Sequence, residues 1–396
     1  MLARDVVIVE ACRTPSGRRG GGLAGMHPSH LLGVTQRAVL ERAGVDPELV
    51  GQVVCGCIGQ IGAQSANVAR NAWLTAGLPL SVPATTVDSQ CGSSQQAAGI
   101  AASLIASAVI DTAMACGVES MSMIPIGAAT KAGPGRALTR EYFARYEFLT
   151  QFQGAERIAA EWRLSREELD EFGLESQRRA NRAWTEGRFD REVVAVDAPV
   201  LGEDGKPSGE TVHVARDEGL RDTSLDALRA LKPVVTEDGY HTAGTSSQIA
   251  DQSSAVLMMT PERAGQLGLR PRARIVDHCL VGSDPVLMLT GPIPATRLLL
   301  ERNDLTVDDI DVFEINEAFA AVVLAWAREL KPDMERVNPN GGAIAIGHAL
   351  GSTGTRLITT ALHELERTGG RYALVTMCCG GGLGTGTLIE RRPETP

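Results

Sequence analysis

Lys/Arg blocks, Cys-x-x-Cys pairs and long apolar runs are all missing from this sequence of 396 residues, and each gap excludes a class of function. The 38 Lys and Arg are outnumbered by 48 Asp and Glu, a formal net charge of −10, with no Lys/Arg block or stripe to offset it. Neither a nucleic acid nor an anionic membrane is therefore expected as a partner. An anionic small molecule would need cations placed locally. The longest apolar run, Ala97 to Ile110, contains Ser103 and Ser107 and is too short to cross a bilayer. In Met1-Leu2-Ala3-Arg4-Asp5-Val6-Val7-Ile8-Val9 two charges stand where a signal peptide needs its apolar core, so a cytoplasmic location is expected. The cysteines (Cys12, Cys55, Cys57, Cys91, Cys116, Cys279, Cys378 and Cys379) form no Cys-x-x-Cys zinc knuckle, and in a reducing compartment most read as small buried hydrophobes. Cys55-Gly56-Cys57 could hold a soft metal, but it closes a strand, and core packing without a metal is expected there.

What the sequence does hold is glycine, 43 residues of it against 4% aromatics, a mix that suits tight turns and closely packed helices. Its length allows two to three core-forming units of an α/β protein. Cys91 stands between a β-branched run, Val82 to Val87, which suits a buried strand, and Ala97 to Ile110, which suits a tightly packed helix. Gly92, Ser93 and Ser94 let the chain turn and bring Cys91 near the first N–H groups of that helix, whose dipole favours a thiolate. Taken alone, the same pattern fits an inert core cysteine.

Along the chain, strands are expected at Val6 to Val9, Gln52 to Cys55 and Thr112 to Cys116, and an amphipathic helix at His30 to Ala43. Arg13 to Gly17 reads as a turn. Gly20 to Gly25 reads as a plain loop, lacking the Gly-Lys-Ser/Thr ending of a P-loop. From about Ser120 to Ser247 charged helices take over, notably Ser165 to Glu186 with a Ser165/Glu168 capping box, and Gly202 to Pro207 suits an exposed hairpin. This stretch looks like an insertion over a core that resumes at Ser253 to Met259 and Arg274 to His278. The last third echoes the first: Glu41-Arg42 before Val45-Asp46 and a strand is matched by Glu301-Arg302 before Val307-Asp308 and the strand Val312 to Ile315. Each half then reaches a Gly/Ser turn, with Cys91 in one and His348 in the other. Two similar α/β halves with an inserted segment follow.

Three further stretches bear on Cys91. Asn338-Pro339-Asn340-Gly341-Gly342 leads to Gly347-His348, a candidate general base; Thr376-Met377-Cys378-Cys379-Gly380-Gly381-Gly382 ends a strand in bare N–H groups beside a second thiol; and Glu314-Ile315-Asn316-Glu317-Ala318-Phe319 puts an amide and a carboxylate at a strand end. Together they supply nucleophile, base, acid and oxyanion donors, the set that acyl transfer needs. On these motifs the whole chain resembles the thiolase family. The resemblance implies a layered α-β-α-β-α core of two βαβαβαββ halves, 1–119 with 248–271 and 272–396, and a loop domain, 120–247, that binds coenzyme A. It also implies a homodimer or homotetramer, no permanently bound cofactor, and acyl-CoA and CoA as substrates.

The resemblance assigns Cys91 as nucleophile, His348 as its base and Cys378 as the second acid and base. Asn316 would hold an oxyanion-hole water, and Gly380 would donate an N–H to a second hole. Ser247 and Phe319 would line the pantetheine path and Arg221 would meet the nucleotide end, although a capped turn and a solvated charge also explain Ser247 and Arg221. Gln90 before Cys91, Ser94-Gln95-Gln96 after it, Ala349 where proline is common and Phe152-Gln153-Gly154 where short-chain biosynthetic members carry His-Met-Gly resemble the degradative members acting on long or steroid side-chain acyl groups. Ala349 leaves His348 slightly less constrained, and Ser94-Gln95-Gln96 is the expected place for substrate preference. The rival readings are an acetoacetyl-CoA-forming thiolase, a decarboxylating ketoacyl synthase, and a thiolase-like CoA- or lipid-binding protein without turnover.

Overall fold

The computed structural model describes residues 4–131 and 134–392; Met1 to Ala3 of the amino-terminal stretch and residues 393–396 of the last unit lie outside the described residues. Among the described residues the strands are β1 (Val6–Arg13), β2 (Gly17–Arg18), β3 (Gln52–Gly56), β4 (Ala84–Val87), β5 (Thr112–Ser120), β6 (Val196–Leu201), β7 (Pro207–Val214), β8 (Ala250–Met259), β9 (Ala273–Gly282), β10 (Val312–Ile315), β11 (Tyr372–Cys379) and β12 (Leu383–Arg391).

The repeat expected from the sequence is present as topology. In the first half β8 pairs antiparallel with β1 and β5, and β3 pairs parallel with β5 and β4. In the second, β12 pairs antiparallel with β9 and β11, β11 pairs parallel with β10, and Phe313 of β10 makes a parallel bridge to Val337 in the place of a fifth strand. The halves meet where β1 and β9 pair through Val6–Ile275, Val7–Arg274 and Ile8–Ala273, joining them into one ten-stranded sheet.

Side-chain alternation then builds the layers, because successive residues of a strand face opposite sides. Val6 and Ile8 of β1, Ala113 and Ala115 of β5, and Ala373 and Val375 of β11 enter a common central core around the helices Ser93–Ala106 and Thr353–Thr368. Their neighbours Val7, Met114 and Leu374 face outer cores instead, the first two under the helix Pro28–Ala43 and the last under Pro292–Arg302. Ile105, Leu357, Ile358 and Leu362 are fully buried in the central layer, each contributing about 1.5–3 kcal/mol by leaving water.

Several boundaries differ from expectation, and three elements show why. β1 runs through Arg13 because the Arg13 N–H donates to Glu192 O and the Val194 N–H to Arg13 O, giving the supposed turn a partner. The helix expected at 97–110 begins at Ser93, with Gly92 as its cap, and stops at Ala106, where Ala108 turns left-handed at φ +62°. β5 runs on to Ser120 because its whole length pairs with β8.

In the inserted segment the helix Arg166–Thr185 carries the expected Ser165/Glu168 capping box, and the hairpin β6–β7 turns where the Gly202 N–H donates to Lys206 O. Arg13 pins this segment to the core. It is fully buried, its Nε lies 2.6 Å from Glu192, its Nη1 lies 2.7 Å from Asp217, and its guanidinium stacks on Phe189. Replacing Arg13 with Met should lower unfolding free energy by about 3–5 kcal/mol, because two buried carboxylates lose their counter-charge. Urea denaturation measures this, and a loss below about 1 kcal/mol would refute the role.

Candidate active site

Cys91 is presented by a tight elbow after β4. The Asp88 side chain accepts the Gln90 N–H at 2.7 Å, and Ser93 Oγ accepts the Ser89 N–H at 2.9 Å while donating to Gln90 O. Gln90 takes φ +53°, a left-handed turn that L residues adopt at roughly 1–2 kcal/mol. The helix follows at once, as expected, but the thiolate does not. Burial pushes the Cys91 thiol up to about 11; the N–H groups of Gly380 and of Cys91 itself hold it down, and Glu119 and Asp88 add to the rise. Desolvation outweighs the helix dipole, so the resting group is a thiol that needs a base.

His348 is held in one orientation. Its backbone N–H donates to Gln248 O at 2.9 Å, and its Nδ1 is 2.7 Å from Thr353 Oγ1. Since the Thr353 hydroxyl donates to Ala349 O at 2.9 Å, Nδ1 carries the proton and Nε2 keeps its lone pair. Burial, then the charge of Arg356, lowers the imidazole to about 3, so it is neutral at ordinary pH. These bonds fix His348 without the proline that Ala349 replaces.

Asn316 stands behind His348, with Nδ2 3.2 Å from Nε2, and its buried Oδ1 accepts no hydrogen bond from the described residues. Glu317, next in sequence, is a staple: it accepts from Ser176 Oγ at 2.6 Å, Asn338 Nδ2 at 2.9 Å and the Ile344 N–H at 3.1 Å. Cys378 is the last residue but one of β11, in a buried cluster with Phe319 and Ala318; burial, then the nearby Cys91 charge, raises its thiol well above the usual range. Gly380, the first residue after the strand, aims its N–H at the Cys91 sulfur.

One cavity of about 780 Å³ is lined by Cys91, His348, Ser247, Phe319 and Arg221 together. The Ser247 N–H donates to Ala318 O, and the Phe319 ring meets Phe152 edge-on at 4.9 Å and His241 at 5.5 Å. Arg221 is exposed and lies in the inserted segment. Met121, Ile126, Leu228, Leu231 and Leu289 make much of the wall apolar, no Asp or Glu among the described residues lines it, and Arg18 and Arg19 line it as Arg221 does.

Some participants escaped the sequence reading. Thr353 orients His348 from five residues downstream, where the first residue of a helix was the available signal. Glu119 binds the Ile58, Gly59 and Gly351 N–H groups and Gln64, fixing the loop after His348; an acid ending an apolar strand was its signal. Ser94 and Gln95, the expected seat of substrate preference, are buried instead. Ser94 Oγ accepts the Thr355 N–H, and Gln95 bonds Val375 O, Thr385 and Thr387. They hold the halves together and leave the cavity wall to others. Cys55 and Cys57 are core residues, and the described residues contain no cluster that could hold a metal.

Residues 6–262 match the family described as Thiolase, N-terminal domain, and residues 269–391 match Thiolase, C-terminal domain. A steroid 3-ketoacyl-CoA thiolase of Mycobacterium tuberculosis, FadA6, is 47% identical over 395 residues, covering 98% of this chain and 94% of that protein. A beta-ketoadipyl-CoA thiolase of Pseudomonas aeruginosa is 43% identical over 407 residues, covering 98% of this chain and 100% of that one. The crystal structure of human mitochondrial 3-ketoacyl-CoA thiolase superposes with a TM-score of 0.89 at 34% identity, over 99% of this chain and 100% of that one.

With Cys91 ionising at about 11, its alkylation by iodoacetamide, followed by mass spectrometry of the Cys91 peptide, should climb steadily between about pH 7 and 10. A rate that levels off by about pH 7 would mean a resting thiolate and overturn the thiol assignment.

Proposed function

This chain belongs to the thiolase family and is an acyltransferase, and on that premise we propose that it cleaves a 3-ketoacyl-CoA with CoA through an acyl group carried on Cys91. The observation that carries this reading is a neutral imidazole, whose Nε2 keeps its lone pair and faces the Asn316 Nδ2 at 3.2 Å, lining one cavity with a protonated thiol. His348 Nε2 takes the Cys91 proton, and the thiolate attacks the 3-keto carbon. The bond between carbons 2 and 3 breaks, and Cys378 gives its proton to the departing acetyl-CoA carbanion, or to propionyl-CoA where the chain is branched. CoA then enters, Cys378 takes its thiol proton, and the CoA thiolate lifts the shortened acyl group from Cys91.

The charges favour this order. A charge on Cys91 helps keep Cys378 protonated, as an acid requires; acylation removes that charge and eases the change of Cys378 to a base. The unengaged Oδ1 of Asn316 is an acceptor suited to an oxyanion-hole water, and the N–H groups of Cys91 and Gly380, already turned to the sulfur, suit the thioester oxyanion. Phe152 packed against Phe319 makes an apolar wall, in keeping with degradative members and their larger acyl groups.

CoA is thus a substrate, and no permanently bound cofactor is part of the proposal. Ser247, Phe319 and Arg221 are its proposed contacts, with Arg221 toward the nucleotide. The proposal divides the chain into 1–119 with 248–271, the CoA-binding unit 120–247, and 272–396, working as a homodimer or homotetramer in the cytoplasm. Among the described residues no helix is long and apolar enough to cross a membrane.

With a 3-ketoacyl-CoA and CoA, the native chain should yield acetyl-CoA and an acyl-CoA two carbons shorter, while Cys91→Ala should reduce the rate to background. Asn316→Ala, which removes an oxyanion support, should lower kcat about 100- to 1,000-fold. Full activity in Cys91→Ala would sink the proposal.

A further inference from the structure

We propose that Arg18 and Arg19 form a subsite for a carboxylate at the far end of the 3-ketoacyl chain, so that the preferred substrate carries a second acid group. This rests on the thiolysis reading above and names its substrate class. Both arginines line the Cys91 cavity, and neither guanidinium has an ion-pair partner among the described residues. Other arginines of this chain, such as Arg272, Arg274 and Arg371, are tied to glutamates. Glu218 reaches the same loop, but its oxygens are occupied by backbone: Oε2 accepts the Arg18 N–H at 3.0 Å and both accept the Gly22 N–H, at 3.0 and 3.1 Å.

The loop is also held in place. The Arg18 backbone pairs with Ala250, and Gly20, at φ +64°, donates its N–H to Ser122 Oγ at 2.9 Å, while the Ser122 N–H donates to Asp251 Oδ1 at 2.8 Å. This sets the two guanidinium groups beside the stretch that supplies Met121 and Ile126 to the apolar wall. Arg221 comes from elsewhere in the chain, with Thr223 and Ala227, so cations reach the cavity from two separate segments. A purely hydrocarbon acyl chain has no use for a pair of unpaired guanidinium groups at an apolar wall. A terminal carboxylate does, because each planar fork can grip its two oxygens.

The test compares kcat/KM within two matched pairs: 3-ketoadipyl-CoA against 3-ketohexanoyl-CoA, and 3-ketosuberyl-CoA against 3-ketooctanoyl-CoA. The native chain should favour the acid in at least one pair by about 10- to 100-fold, and the Arg18→Gln/Arg19→Gln double variant should bring that ratio to within about 3-fold of unity. The ratio is taken within one preparation, so partial misfolding does not move it. A native ratio near one in both pairs overturns the proposal. So does a double variant that raises KM for CoA and weakens both members of a pair equally, which would make these arginines phosphate contacts. Cleavage of none of the four substrates would overturn the thiolysis reading and this proposal with it, whereas cleavage without preference for the acid overturns this proposal alone.

Discussion

Two helix starts approach each other so closely at the centre of the molecule that backbone nearly touches backbone, and the site depends on that approach. A Cβ at Gly354 would lie 2.2 Å from the Gln95 nitrogen, and one at Gly56 would lie 2.1 Å from the Ser94 nitrogen. The Thr355 N–H donates to Ser94 Oγ across the gap, and Ser254 Oγ bonds Ser352 and Thr355 from the sheet below. Cys91 precedes one helix by two residues and His348 precedes the other by five. Duplicating the half-fold therefore brings Cys91 of one half and His348 of the other to one cavity, with no need for the two to be near in sequence. Small side chains at the junction are what allow it, since any larger group would separate the reacting atoms along with the helices.

The dryness that follows from this packing decides the chemistry. Desolvation raises an acid that ionises to an anion and lowers a base that ionises to a cation, so burial drives Cys91 and His348 the same way, toward thiol and neutral imidazole. A resting ion pair would have to be maintained against that pressure in the absence of substrate. Instead, charge can separate when a substrate oxygen is there to take it, facing fixed N–H donors that need no reorganisation. The two thiols share a further economy, because the charge state of one sets the proton affinity of the other.

Much of this was legible in the residues. Strand-turn-helix around Cys91, the capping box at Ser165, the hairpin at Gly202 and the echo between the halves were all carried by local pattern, and the structure contains each of them. The five cavity residues were also nameable, Cys91 and Phe319 from motifs that follow strands, His348 from a glycine-punctuated loop, and Ser247 and Arg221 through the family resemblance alone. Two kinds of fact were not legible. One was the sign of a competition: the helix dipole at Cys91 can be read from sequence, but the burial that overrides it depends on residues more than 250 positions away, such as Met377 and Cys379. The other was the direction a side chain faces. Ser94-Gln95-Gln96 was the expected seat of substrate preference because it departs from the commoner family pattern, yet a helix turns about 100° per residue, and position 95 faces Val375 and Thr387 in the other half. Arg18 and Arg19 fall between the expected turn at 13–17 and the expected loop at 20–25, and nothing in their local pattern singles them out.

The placement of acids gives the charge balance its meaning. A chain of net charge −10 that handles polyanionic CoA must keep its carboxylates from repelling the substrate. Glu119, Glu317 and Glu218 all stand close to the site, and each accepts at least one backbone N–H, from Ile58, Gly59 and Gly351, from Ile344, and from Arg18 and Gly22. Such bonds stabilise the carboxylate where it is and hold it as a structural staple turned into the loops. The acids thus build the loops that carry Gly351, Ile344 and Arg18, while the guanidinium groups remain at the cavity surface. Overall acidity and local attraction for anions are compatible here because these carboxylates are turned into the loops and, among the described residues, no Asp or Glu lines the cavity that the guanidinium groups reach.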